Sequence, residues 1–377
     1  MASSRVVVVR CSSYDTDAID AAVARGVGLL GGAGRFARSG ERIVLKPNLL
    51  VASAPEKVVT THPTVFSAVA RVLQAEGATL LWGDSPGFGS TEGAGRRSGI
   101  AGAAAELGVR MADFSHGRQV PFPDGRLIKQ FTIAVDVLNA DGLVSLPKLK
   151  THALTRMTGA IKNQFGCIPG MLKGEFHTKM PDVDRFAQML VDLNRFVRPR
   201  LYVLDAVVAM EGNGPRGGDP RDVGVLLLSE DPVAVDALGC RIMNLDASLV
   251  ETVVWGERFG LGSATDIEIV GDSLPVLDDF VVNRGHASTT GARLGYKSGK
   301  RLLAPRPFVV AERCTRCGTC VEVCPVRPKA VELPNSDAGG PPVWDYEVCI
   351  RCYCCQEMCP ERAIEVKTPA LGRLIRR

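Results

Sequence analysis

The chain has no apolar run approaching the roughly 18–20 residues that cross a bilayer. The longest candidates, around Val7 and Val225, are interrupted within a strand's length. No membrane partner is therefore expected. The N-terminus, Met1 to Arg5 followed by four valines, is too short in apolar residues for a secretory signal and reads as a first strand, which makes the cytoplasm the expected compartment. A large excess of charge is equally absent. A net +4 over 377 residues, with no long Lys/Arg block before the short Arg373, Arg376 and Arg377 tail, leaves no footprint for nucleic acid.

Several catalytic signatures are missing too: no P-loop, H-E-x-x-H or G-x-S-x-G occurs. Glycines 212, 214 and 217 satisfy G-x-G-x-x-G in form, but Pro215 lies inside the motif. The following segment reads as a strand rather than the helix a dinucleotide site requires. This leaves a loop carrying Glu211 and Asn213 over a site as the expectation. Cysteine is scarce outside one region, since nine of the twelve lie between Cys314 and Cys359. Such clustering suits metal ligands rather than a disulfide framework.

The first two-thirds alternate β-branched runs with Ala/Leu-rich segments, the pattern of an α/β domain with a mostly parallel sheet. Strands are expected at Arg5–Val9, Arg42–Leu45, Thr79–Trp82, Leu143–Leu146, Leu201–Leu204 and Val225–Leu228. Helices are expected near Ala18–Val27, Pro63–Gln74, Ala101–Leu107, Val183–Leu193 and Pro232–Ile242. The domain spans 1–284. A Gly-, Ser- and Arg-rich connection (285–307) follows, then a small α+β ferredoxin-type domain (308–366) and a basic tail (367–377).

Two runs read C-x2-C-x2-C-x3-C-P: Cys314, Cys317, Cys320, Cys324-Pro325, and Cys349, Cys352, Cys355, Cys359-Pro360. In such runs three thiolates take one 4Fe-4S cubane and the fourth reaches its neighbour. One cluster is then expected on Cys314, Cys317, Cys320 and Cys359, and the other on Cys349, Cys352, Cys355 and Cys324. C-x2-C pairs also serve zinc, but two complete runs with both prolines favour iron–sulfur clusters. Cys354, inside the second run, is expected to pack as a small apolar residue.

Polar segments at strand ends are where an open α/β sheet binds ligands. Lys148, Lys150 and His152, then Lys162 and Asn163, then Lys173 and His177, place four lysines and two histidines in thirty residues. A solvated lysine face is the bland alternative. The interleaved Gly, Pro, Thr and Asn favour a cationic pocket for a carboxylate or phosphate, with lysine pKa values lowered by crowding. Lys46, Asn48 and His62 would add donors beside a helix start, where Thr61 is a candidate cap. Asp84 is either a turn residue or a functional carboxylate. Cys167, between glycine and proline turns, is a candidate reactive thiol or a buried hydrophobe. Cys11 and Cys240 read as buried.

Taken in order, Lys46-Pro47-Asn48, Thr61-His62-Pro63, Gly83-Asp84-Ser85, Lys148 to His152, Gly159 to Asn163, Phe165 to Gly170, Lys173, His177, Met210 to Gly217 and Asp231 to Asp236 form a recognisable set. The set resembles the iron–sulfur-centre proteins grouped as domain of unknown function 362, in the version fused to a C-terminal two-cluster ferredoxin. The resemblance covers residues 5–270 and the cysteine module, and it assigns no catalytic residue.

The expected activity is reduction of a small anionic substrate or cofactor by electrons from two 4Fe-4S clusters. Lys148, Lys150, Lys162 and Lys173 would hold the anion, and His152 or His177 would give the proton. A redox partner protein or small-molecule donor would supply the electrons. A further organic cofactor such as a flavin is compatible with the sequence. The alternatives are a carrier that docks a partner enzyme, and a redox-sensing or metal-maturation protein.

Overall fold

Val6 to Val9 are all buried. Val6 and Val8 pack into one hydrophobic cluster and Val7 and Val9 into another, as a strand covered on both faces requires. The computed structural model describes residues 3–170, 172–285, 304–334 and 339–369. Most of the expected 285–307 connection and of the 367–377 tail lies outside the described residues.

The strands of the large domain are β1 (Ser4–Arg10), β2 (Arg42–Pro47), β3 (Thr79–Trp82), β4 (Arg110–Met111), β5 (Gly117–Pro121), β6 (Gln130–Ala134), β7 (Gly142–Leu146), β8 (Lys148–His152), β9 (Arg156–Thr158), β10 (Leu201–Glu211), β11 (Asp219–Ser229) and β12 (Ile267–Gly271). Ten form one sheet in the order β12-β1-β11-β10-β7-β2-β3-β4, with β8 also beside β10 and β9 on β8. Most pairings are parallel, while β11 runs antiparallel between β1 and β10. The β5–β6 hairpin stands apart.

Helices cover both faces. Thr16–Leu29 and Pro63–Gln74 pack into the cluster that holds Ile43, Leu45 and Val203. Val183–Val197 and Pro232–Ile242 pack into the cluster that holds Leu204 and Leu227. Pro63 and Pro232 each occupy the first helical turn, where a missing N–H costs nothing. His62 is the N-cap of the first of these helices, accepting from Thr64 N–H. The Thr61 hydroxyl, expected to cap, instead donates to Leu146 O at 2.5 Å and accepts from Asn48 N–H at 2.8 Å.

Two expected loops are strands. Lys148–His152 is β8, fully buried, with Lys148 opposite Asp205 and Lys150 opposite Met210 on β10. The strand expected at Leu201–Leu204 is longer: Asp205 lies within β10, which continues through a bulge to Glu211. A buried lysine strand is tolerable here because each ammonium finds oxygen partners inside the domain.

The C-terminal module contains β13 (Arg306–Val309) paired antiparallel with β16 (Ile364–Lys367), and β14 (Val331–Glu332) with β15 (Val343–Trp344). Two short helices, Thr319–Glu322 and Cys354–Met358, lie between these strands in sequence. The fold is thus a large, mostly parallel α/β sheet domain joined to a small α+β module.

Candidate functional site

The carboxyl ends of β2, β3 and β7 deliver a set of buried polar groups. Lys46 Nζ lies 2.8 Å from Asp84 Oδ1, and Asp84 Oδ2 accepts from Leu49 N–H at 2.8 Å. Gly166 lies against this pair: a Cβ there would fall 1.7 Å from Asp84 Oδ1. Lys148 Nζ donates to Asp205 Oδ2 at 2.9 Å and to Tyr14 OH at 2.6 Å. Lys150 Nζ donates to Asn48 Oδ1 at 2.6 Å and to Val59 O at 2.7 Å. With no carboxylate paired to it, burial first and then Lys162 and Lys148 push the Lys150 amine well below the usual lysine range.

The largest opening facing these groups lies between the two modules, a hollow of about 900 Å³ counting the part open to solvent. The α/β domain contributes Asn48, Asp84, Ser85, Lys162, Asn163, Lys173 and His177, with Leu50, Phe88 and Phe165 as apolar wall. The C-terminal module contributes Glu322, Val323, Cys354, Glu357 and Met358. Among the described residues the Lys162 ammonium has no carboxylate at ion-pair distance. Lys173 Nζ donates to Ser85 Oγ at 2.6 Å and Ile168 O at 3.0 Å, which leaves one of its three N–H groups for a ligand. Burial brings the Lys173 pKa down to about 8.

The hollow gathers only part of the candidate set. Lys162, Asn163, Lys173, His177, Asn48 and Asp84 line it. Lys148 and Lys150 do not; their amines are spent on interior partners, and they brace the site from behind. Lys46 is buried beneath Asp84. His152 Nε2 lies 3.0 Å from Glu357 Oε1, while its Nδ1 accepts from Leu154 N–H at 3.0 Å, so the ring proton sits on Nε2, on the side of the carboxylate but without a hydrogen bond to it.

His62 stacks on Tyr14 at 3.7 Å, outside the hollow. Glu211 also lies elsewhere, accepting from Val281 N–H at 2.9 Å. The segment after it is not a cover for the site. Asn213 Nδ2 donates to Ile364 O, and Gln356 Nε2 donates to Asn213 O, Asn213 Oδ1 and Gly214 O. This loop fastens the two modules together. His177 stacks on Phe186 at 4.5 Å, and burial drops its pKa to about 4, so it is neutral near pH 7 and is no imidazolium acid. Cys167 is fully buried, with burial pushing its thiol up to about 12, which removes it as a reactive thiol.

Sequence reasoning missed Tyr14, Glu357, Gln356 and Arg216. Each acts through a contact made between segments remote in sequence, and none belongs to a local motif.

In the C-terminal module Cys314, Cys317, Cys320 and Cys359 line one hollow of about 330 Å³. Cys324, Cys349, Cys352 and Cys355 line a second of about 320 Å³. Each takes three cysteines from one run and the fourth from the other. Four soft sulfur donors around a cavity, instead of a point, fit a cubane. Burial pushes the Cys349 thiol up, and the neighbouring Arg351 works against that. Cys354 lines neither hollow and faces the interdomain one.

Comparison with known proteins agrees with this division. The profile of a domain of unknown function (DUF362) matches residues 43–241, and that of a 4Fe-4S dicluster domain matches residues 306–360. A thylakoid-associated protein of Synechocystis sp. is 37% identical over 257 residues, covering 68% of this chain and 79% of that protein. Among solved structures, the lactate racemase apoprotein of Thermoanaerobacterium thermosaccharolyticum is similar at a TM-score of 0.41 and 12% identity, over 64% of this chain and 57% of its own. A Thermotoga maritima protein is similar at a TM-score of 0.34 and 12% identity, over 59% of this chain and 57% of its own. No helix among the described residues is long and apolar enough to cross a membrane. The chain belongs to the domain-of-unknown-function 362 family, in a form that carries a C-terminal 4Fe-4S dicluster ferredoxin domain.

Proposed function

We infer that the chain is an iron–sulfur oxidoreductase that binds two 4Fe-4S clusters and reduces a small anionic substrate in the hollow between its modules. One observation carries this reading: the same hollow is lined by Lys162 and Lys173 of the α/β domain and by Cys354, Glu357 and Met358, neighbours in sequence of cluster-ligand cysteines. When bound, the clusters supply one-electron transfer, two electrons in all, drawn from a redox partner outside the chain.

The protein's own groups then have separate tasks. Lys162, with no carboxylate at ion-pair distance among the described residues, holds the anion. Leu50, Phe88, Phe165 and Met358 exclude water around its apolar part. Lys173, with a pKa near 8, is mostly protonated at neutral pH yet able to release a proton to a substrate gaining electrons; the second proton enters from solvent. Neutral His177 orients the ligand. This revises the expectation that a histidine is the acid and that Lys148 holds the anion.

The test is anaerobic. Cluster-loaded, reduced protein is mixed with fractionated metabolites of its host, and reoxidation is followed by absorbance against Lys162→Met. A fraction that reoxidises the unaltered chain at least tenfold faster than the variant contains the substrate. Equal rates for both chains, or exchange only with a redox protein, would give the carrier reading the better claim.

A further inference from the structure

The loop 212–218 brings a cation to the backbone beside Cys359, which lines the first cysteine hollow. Arg216 is half-buried and its Nη1 donates to the carbonyl of Met358, the residue just before the ligand Cys359. Among the described residues its guanidinium has no carboxylate at ion-pair distance. Cys359 and Cys317 act on it electrostatically more strongly than Glu361 does. Buried cations are normally paired, because desolvation without a counter-charge is costly. The negative groups that act on Arg216 are the thiolates of Cys359 and Cys317, with Glu361 beside them.

We propose that Arg216, carried by the α/β domain, raises the reduction potential of the cluster held by Cys314, Cys317, Cys320 and Cys359. A fixed positive charge favours the reduced, more negative state of a cluster, and hydrogen bonds and burial around it are the levers that proteins use to set its potential. Arg316, from the first run itself, also lines this hollow, so Arg216 is the positive charge there that the other domain supplies. Docking of the α/β domain, fixed by Asn213 and Gln356, therefore adds to the charge that tunes this cluster. The inference rests on the two-cluster reading above and extends it to the division of labour between the clusters.

The test is a redox titration of the full-length, cluster-loaded chain monitored by electron paramagnetic resonance, with iron and sulfide measured first. Fewer than two clusters in the unaltered chain would sink the two-cluster reading itself. With both present, Arg216→Gln is expected to shift one of the two reduction waves to lower potential and leave the other in place, and Arg216→Lys to keep the original profile. An unchanged profile in Arg216→Gln, or an equal shift in Arg216→Lys, overturns the proposal. If Arg216→Gln loads only one cluster while Arg216→Lys loads two, the charge is again the agent. Loss of iron in both variants overturns it, since packing and not charge would then be what the hollow needs.

Discussion

His152 Nε2 lies 3.0 Å from Glu357 Oε1, and both side chains are buried. This contact joins β8 of the α/β domain to the helix Cys354–Met358, so a polar pair ties the α/β domain to the cysteine-bearing module. Gln356 and Asn213 make a second tie on the same helix.

Glu357→Ala is expected to remove the carboxylate that lies against the buried His152 Nε2. Removing one partner of a buried polar contact costs about 1–3 kcal/mol. Urea unfolding of the cluster-loaded chain should show a loss of that size. The double variant His152→Ala/Glu357→Ala should lose less than the sum of the two single changes, and additivity would mean that the two residues are not coupled.

Gly166→Ala is expected to be among the most damaging single-methyl changes in the domain. The new Cβ would sit 1.7 Å from Asp84 Oδ1 and 2.9 Å from Lys46 Nζ. Asp84 must then move off Lys46, which is 0% exposed, and breaking a buried ion pair costs about 3–5 kcal/mol. A fall in melting temperature is the readout. Gly28→Ala, where a Cβ meets nothing within 4 Å, is the control.

The Lys173 ammonium is expected to titrate near pH 8, well below the ordinary lysine value of 10.5, because burial disfavours its charged form. Lysine-selective NMR should show one resonance moving through pH 8 that is missing in Lys173→Met. The sign for stability follows from linkage. Between pH 8 and 10.5 the unfolded chain binds this proton and the folded chain does not, so this group makes folding more favourable as pH rises across that window. Affinity for an anion in the hollow should move the other way and weaken above pH 8.

How much of this was readable in the residues depends on the distance over which each feature is specified. The cluster ligands follow a fixed local spacing, and the helices Pro63–Gln74 and Pro232–Ile242 begin at a proline that announces them. β8 was less legible. Its three charged or titratable residues, Lys148, Lys150 and His152, alternate with Leu149 and Thr151, which is strand periodicity, but their charge suggests a surface loop. Only the arrival of Asp205, Asn48 and Glu357 from elsewhere makes burial possible. The interdomain hollow was not legible at all, since one side of its wall comes from residues that look like spacers between cysteines.

The acid limb of stability should report His177. Burial lowers its pKa from 6.5 to about 4, so between pH 6.5 and 4 the unfolded chain takes up a proton that the folded chain refuses, and stability falls as pH drops through this window. His62, also lowered to about 4, acts in the same sense. Asp236 opposes them, being raised by burial to about 7. Replacing His177 with Phe, within the aromatic set of Phe165 and Phe186, should therefore leave neutral-pH stability nearly unchanged and make the acid limb shallower. Urea midpoints from pH 7 to 4.5 test it, and parallel curves for the two chains would show that His177 takes up its proton in the fold as readily as in the unfolded chain.

Cys354→Ala is expected to keep both clusters, whereas Cys355→Ala should lose one. The two thiols are adjacent in sequence, but the structure separates them: Cys355 lines the second cysteine hollow, and Cys354 lines the interdomain hollow with Lys162, Lys173 and His177. Ligand thiolates are replaceable only at the expense of iron, while a half-buried thiol outside both hollows is not needed for assembly. Iron and acid-labile sulfide per chain give the answer directly. A Cys354→Ala protein with half the iron would place Cys354 among the ligands and would require the second run to bind its cluster in a register shifted by one residue.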